Sequence, residues 1–273
     1  MSSSSRAIAV TPDKRYIIAG GGDYRDHPGY VKFWNFETGE LVRNDTWKHY
    51  VLTNIVTLPD SSSIIVHGRD DHTFLDGTKY IYLGDVERGE YQLIHKWVYH
   101  ETDLTFIHHS KTRIGFDRHI FDLQTKNLSQ ITPDEEKNIH QLYSKIELTP
   151  DYRLSSNDET FVIEDKTGLI IQRFSHGHKN KYHKYSPKII TPDGRYLLAQ
   201  INEWESQNKI LSMWDMQTGD LVTSFESCRG SMQAIDITSD SQYAVVYVFD
   251  PSSVIRVINL HTGQLKLEII PEP

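Results

Sequence analysis

Cysteine is nearly absent from this chain. Its 273 residues hold one cysteine, Cys228, so no intrachain disulfide can form, and the paired cysteines of a secreted framework are missing. Long apolar runs are missing too: none approaches the roughly 20 residues that span a bilayer as a helix. The opening MSSSSRAIAV lacks the apolar centre of a signal peptide. Without an export signal, Asn44-Asp45-Thr46 and Asn127-Leu128-Ser129 read as chance glycosylation matches. Positive charge is in the minority, with 29 Lys plus Arg against 37 Asp plus Glu, a formal net charge of −8. A duplex-binding protein presents a basic face, so this balance argues against nucleic acid, although it leaves room for a local basic patch. Together these absences predict a cytoplasmic protein with no membrane partner. A sustained 3.6-residue period is also lacking; only 133–146 reaches a polar helical turn.

What is present is a repeat. The stretch MWDMQTGDLV, residues 213–222, has relatives in FWNFETGELV (33–42), LGDVERGEY (83–91), IFDLQTKNL (120–128), VIEDKTGLI (162–170) and VINLHTGQL (257–265). The Asp position holds Asn35, Asp85, Asp122, Glu164, Asp215 and Asn259, at spacings of 50, 37, 42, 51 and 44. Four residues later stand Gly39, Gly89, Lys126, Gly168, Gly219 and Gly263. A second motif keeps step: TPDKRYI, LPDSSSI, the degraded HSKTRI, TPDYRL, TPDGRYL and TSDSQYA, anchored at Asp13, Asp60, Ser110, Asp151, Asp193 and Asp240. Two motifs that keep one order and a period of about 45 residues mark a repeat architecture. Short runs rich in Ile, Val, Tyr and Phe flank these motifs and read as strands, and Pro-Asp and Thr-Gly are turn chemistry. Each unit therefore predicts four strands, a to d, joined by hairpins.

Such a unit resembles the WD40 repeat, and the resemblance spans about residues 7–270. Trp214-Asp215 is the literal Trp-Asp pair and Trp34-Asn35 a near match. The family also tends to carry a His ahead of the TPD turn, and His49, His100, His140 and His183 stand 10 or 11 residues before it. The Gly that should precede that His is missing each time, so the family's His/Asp/Trp hydrogen-bond network is expected to be incomplete. The resemblance implies an all-β fold: a β-propeller of six four-stranded antiparallel blades, about 7–46, 54–95, 103–131, 145–175, 188–226 and 234–270, after an N-terminal tail 1–6. Stacking sheets around an axis buries both faces of each, which no lone sheet can do. The Trp or Phe before the Asp is expected between blades, and the Asp on turn backbone. The chain begins at a strand a and ends at a strand d. The expectation is a ring of six whole blades without a shared closing strand; an arc of a larger ring, within a longer protein or complex, is the alternative.

Hairpin alternation puts the short a–b and c–d turns on one face and the long b–c and d–a connections on the other. Variable loops on a rigid scaffold are where binding residues gather. Trp47, Trp97 and Trp204 fall in or beside those connections, with Tyr50, Tyr99 and Tyr182 near them. Aromatics concentrate at interface centres. These residues and Lys184 form the candidate interaction face, and the expected partner is a protein or peptide. The basic segment 176–188, HGHKNKYHKYSPK, carries an alternative: an anionic ligand or nucleic acid. His176, His178 and His183 could supply three nitrogens to a metal, but no Cys or nearby carboxylate completes a set. His67 with Asp70, Asp71 and His72, and the pair His108-His109, read as structural or solvent-facing. Cys228 has no assignable base, AGGGD at 19–23 lacks the ending of a phosphate loop, and Glu135-Glu136 is a surface pair. No motif supports a reaction, a metal or a cofactor. A propeller enzyme with a central-channel site is the remaining alternative. The resemblance to WD40 proteins points instead to a non-catalytic scaffold or recognition module.

Overall fold

The computed structural model describes residues 5–22, 29–47, 51–70, 78–98, 108–109, 113–116, 119–122, 124–130, 146–149, 152–156, 161–165, 170–174, 183–203, 209–225, 231–250 and 252–271. Each period of the sequence becomes one antiparallel sheet with its strands in chain order. Sheet 1 holds β1 (Ser5–Val10), β2 (Tyr16–Gly21), β3 (Gly29–Asn35) and β4 (Leu41–Trp47). Sheet 2 holds β5 (Val51–Thr57), β6 (Ser63–Asp70), β7 (Thr78–Asp85) and β8 (Tyr91–Val98). Sheet 3 holds β9 (His108–His109), β10 (Arg113–Phe116), β11 (His119–Asp122) and β12 (Leu128–Gln130). Sheet 4 holds β13 (Ile146–Thr149), β14 (Tyr152–Ser156), β15 (Phe161–Asp165) and β16 (Ile170–Phe174). Sheet 5 holds β17 (His183–Ile190), β18 (Tyr196–Glu203), β19 (Lys209–Asp215) and β20 (Leu221–Phe225). Sheet 6 holds β21 (Ser231–Ile237), β22 (Tyr243–Asp250), β23 (Ser252–Asn259) and β24 (Leu265–Ile269). The described residues are thus all-β, in four-stranded antiparallel sheets, and none forms a helix long and apolar enough to cross a membrane. That arrangement is compatible with the propeller expectation.

The Asp-to-Gly motif builds the turn between the third and fourth strands. Asn35, Asp85, Asp122, Asp215 and Asn259 each accept, through Oδ1, the N–H groups two and three residues on. Gly39, Gly89, Gly219 and Gly263 take φ between +70° and +78°, where a side chain is costly. Lys126, in the Gly position of the third repeat, adopts φ 56° nonetheless. At Gly219 space forbids a side chain as well: a Cβ would lie 2.5 Å from the Arg173 carbonyl of sheet 4.

The TPD turn works differently. The hydroxyls of Thr191 and Thr238 donate to Asp193 and Asp240 at 2.5 and 2.6 Å and accept the N–H of Tyr196 and Tyr243. The residue after the Asp is left-handed, at Lys14, Ser61, Gly194 and Ser241. Three of these four carry side chains, and each reaches a neighbouring sheet. Ser61 Oγ accepts the Asp13 N–H at 3.2 Å, Ser241 Oγ accepts the Asp193 N–H at 3.1 Å, and Lys14 Nζ meets Asp240 Oδ2 at 2.6 Å. The strained backbone aims a side chain at the neighbouring sheet, a local cost offset by an inter-sheet bond.

Between sheets lies the core. Ala9, Phe33 and Trp47 of sheet 1 pack on Leu52, Ile64 and Tyr82 of sheet 2. Ile65 and Ile81 of sheet 2 pack on Phe121 of sheet 3. Phe174 of sheet 4 packs on Leu197 and Trp214 of sheet 5, and Leu198 and Leu211 of sheet 5 share a core with Met232 and Val246 of sheet 6. The chain-end sheets meet as well: Ile17, Trp34 and Phe36 interleave with Val245, Tyr247 and Val257. Trp34 and Trp214, the two motif tryptophans, are both interior, as the repeat predicts. In space the sheets follow the order 3–2–1–6–5–4, and among the described residues no strand is exchanged between sheets 1 and 6. Their seam is held by side chains: Ser239 Oγ donates to the Pro12 carbonyl at 2.8 Å, and Lys266 pairs with Glu37 at 2.7 Å above the Phe36 and Tyr243 rings.

Candidate interaction face

Strand alternation decides which residues of sheet 2 act together. In β6, His67 and Arg69 point to one side, because they are two apart. Across the ladders Ile81 stands opposite both His67 and His95, while Lys79 stands opposite both Arg69 and Trp97. Directly opposed residues share a face. His67, Arg69, Lys79, His95 and Trp97 therefore lie on the side of sheet 2 that meets sheet 3, at the end where its long connections emerge. Below them the same face is apolar, with Val56, Ile65 and Ile81 against Phe121.

The rings form a chain. His67 and Trp97 are parallel to within 8° with centroids 5.8 Å apart, Trp97 stacks on His95 at 5.6 Å, and His95 reaches His119 of sheet 3 at 4.4 Å. His67 is 5% exposed and Lys79 only 3%. A bulge in β5 leaves Thr53 outside the ladder with β6, and its Oγ1 lies 2.6 Å from His67 Nδ1. Bulges commonly re-aim a side chain in this way. Burial, and after it the positive charges of Lys79 and Arg69, push the His67 imidazole down to about 3, so it is neutral at physiological pH. The patch thus joins a neutral imidazole, a half-buried indole and two cationic residues. It offers an aromatic surface for stacking. No cluster of three or more metal-ligating side chains occurs among the described residues.

The other side of sheet 2 corrects one expectation. Trp47 was expected on the interaction face, but it is 2% exposed and packs edge-on against Tyr82 and Tyr91 at 5.1 and 5.0 Å. Its indole lies over Gly68, where a Cβ would come within 2.8 Å of Nε1. Trp47 ends β4 rather than entering a loop, so alternation turns it into the core between sheets 1 and 2. Trp97, next to last in β8, lies on the opposite side of sheet 2, where it stays half-buried. Lys184 sits within β17 opposite Asn202, because that strand begins at His183. The basic segment 176–188 is therefore strand in its second half. Tyr50, Tyr99, Tyr182 and Trp204 lie outside the described residues, as do His176, His178, Cys228 and Glu135-Glu136.

Arg69, Lys79, His95 and His119 were not picked out from sequence. The available signal was alternation: HGR at 67–69 and HKW at 95–97 each place two large polar or aromatic residues on one side of a strand. A third network joins sheets 1 and 2 at their outer strands. Arg43 Nε meets Asp45 at 2.9 Å, Asp45 accepts the Tyr91 hydroxyl at 2.7 Å, and the guanidinium also donates to the Val86 carbonyl. Burial, then that bond to Asp45, raises the Tyr91 phenol. These bonds tie sheet 1 to sheet 2. No protein-family model matches this chain, and no curated protein matches its sequence.

Proposed function

We propose that this chain is a six-bladed, WD40-like β-propeller that acts as a non-catalytic scaffold, binding a protein or peptide through its long-connection face. The spatial order 3–2–1–6–5–4 supports the ring, since contact between sheets 3 and 4 is all that it further requires. In this reading the blades meet face to face at the seam of sheets 1 and 6, with no shared strand.

The single observation that carries the binding reading is the unlike character of the two faces. At the short-turn face, side chains are spent on the turns themselves and on neighbouring turns: Asp13 is tied to Arg15 and Ser61, and Arg15 to Glu87 at 2.5 Å. At the other face, sheet 2 gathers Trp97, His95, Arg69 and Lys79 where its connections emerge. A half-buried indole at the end of a sheet is the kind of residue that anchors an interface. The partner is expected to present an apolar or aromatic group to Trp97.

Electron-microscopic class averages of the intact chain should display a ring with a central hole; an open arc or a filled body removes the propeller. Affinity capture with the intact chain, compared with Trp97→Ala and with the double variant Trp97→Ala/Trp204→Ala, tests the face. The expected result is loss of specific partners. An unchanged captured set from folded variants assigns binding elsewhere.

A further inference from the structure

Sheet 3 has the shortest hairpin between second and third strands. Its β10 and β11 pair from Arg113–Asp122 to Phe116–His119, and only two residues of chain join them. In sheet 2 the same hairpin runs from Ser63–Asp85 to Asp70–Thr78, and in sheet 6 from Tyr243–Asn259 to Asp250–Ser252. The chain sets this difference. Ser110 stands 12 residues before Asp122, whereas Asp60 stands 25 before Asp85 and Asp240 stands 19 before Asn259. A shorter ladder makes fewer hydrogen bonds and buries less side-chain surface, so it opens at a lower free energy.

The turns of sheet 3 are weaker as well. Lys126 takes a left-handed backbone, φ 56°, where Gly39, Gly89, Gly219 and Gly263 stand in other sheets. A residue with a side chain adopts that conformation at a cost. Ser110 replaces the Asp that, in sheet 2, accepts the Ser62 and Ser63 N–H groups.

The contact of sheets 2 and 3 also repeats that of sheets 1 and 2 with poorer residues. Trp97 and Trp47 hold one place, 12 residues after Asp85 and Asn35. Trp47 meets Tyr82 and Tyr91, three before and six after Asp85, and is sealed. In sheet 3 those places hold His119 and Leu128, both smaller, and Trp97 stays half-buried. Among the described side chains of sheet 3, Phe121 is buried in the shared core and Leu128 lies at its edge. Lys126 meets Asp60 at 3.4 Å across the contact, but both side chains are substantially exposed, and such a pair adds little.

We propose that sheet 3 is a detachable cover for sheet 2: it leaves as one unit while sheets 1, 2 and 6 stay folded, and it uncovers Ile65, Ile81 and His67 beside Trp97. The seam of sheets 6 and 1 stays shut, because Trp34, Phe36 and Tyr247 fill it. This inference rests on the packing of sheets 2 and 3, and neither on ring closure nor on the binding reading.

The test is native-state hydrogen exchange of the intact chain, in denaturant too dilute to unfold it. The amides of β10, β11 and β12 are expected to share one opening equilibrium, with protection at least about tenfold below that of β2 and β22. Protection equal to that of β2 and β22, or unlike values along the three strands, overturns the proposal. Thiol labelling gives a second reading. Ile81→Cys and Ile17→Cys, each combined with Cys228→Ser, place one fully buried thiol under sheet 3 and one in the seam. Position 81 is expected to react about tenfold faster, following the same opening. A thiol at 17 that reacts first, or one at 81 that stays silent while sheet 3 exchanges, overturns it too. Exchange is read on the unaltered chain, so it remains decisive if either variant fails to fold.

Discussion

Two inter-sheet contacts each hold a titratable side chain displaced from its ordinary range, one upward and one downward. At the seam of sheets 6 and 1 it is an acid, Asp236, raised by enclosure. Between sheets 2 and 3 it is a base, His67, lowered by enclosure and by Lys79 and Arg69. Burial disfavours the charged form in both cases. For the acid the neutral form prevails at low pH, and for the base at high pH. His67 has a folded-state value below its unfolded one, so its contribution is present above about 6.5 and is lost as pH falls toward 3. One repeat unit, used six times, can thus carry opposite displacements wherever a single inward position is polar.

The contrast can be broken by core truncation. Trp34→Ala removes an interior ring of the seam and should cost about 3–5 kcal/mol, read as a lower denaturant midpoint. A loss below about 1 kcal/mol would mean that sheets 1 and 6 are not packed as described. Next in size is His67→Phe, which keeps a ring against Trp97 but removes the titration. Wild type should lose roughly 3 kcal/mol relative to this variant on going from pH 6.5 to 4, and unfolding curves of both proteins at each pH would measure it. Parallel profiles would show that His67 protonates freely in the fold. Thr53→Val deletes the hydroxyl on His67 Nδ1 and should cost about 1–2 kcal/mol. Nitrogen-15 spectra of the imidazole should change in the same variant; unchanged ring nitrogens would remove the hydrogen bond. Smallest is Lys14→Ala, which breaks a half-exposed ion pair with Asp240 and should cost less than about 1 kcal/mol, shrinking further with added salt. A loss that grows in high salt would assign Lys14 a different role.

The repeat was legible because its residues act locally. Asn35, Asp85, Asp122, Asp215 and Asn259 bond to the N–H groups two and three residues on, and the glycines that follow supply the left-handed backbone. Such chemistry leaves a signature within five residues. Trp34 and Trp214 were legible for the same reason, being attached to that turn. Trp47 was not, because its side depends on where β4 stops. Sequence placed it at the edge of a loop, and one or two further residues of strand turn it inward. The ring chain His67–Trp97–His95–His119 was illegible for a stronger reason: it assembles residues from three strands and two sheets. Asp236 left a faint trace, a polar residue in the apolar run AIDI, whose meaning waited on knowing that Val10 lies opposite.

The amino-acid order by itself determined the four-stranded unit, its turns and the six-fold recurrence, since hydrophobic alternation and turn residues specify them within a few positions of each other. Tertiary structure alone decided which sheets touch, which ends of the chain meet, and which polar side chains are sealed between them. Those outcomes depend on contacts up to 226 residues apart, where no local preference of the backbone reaches.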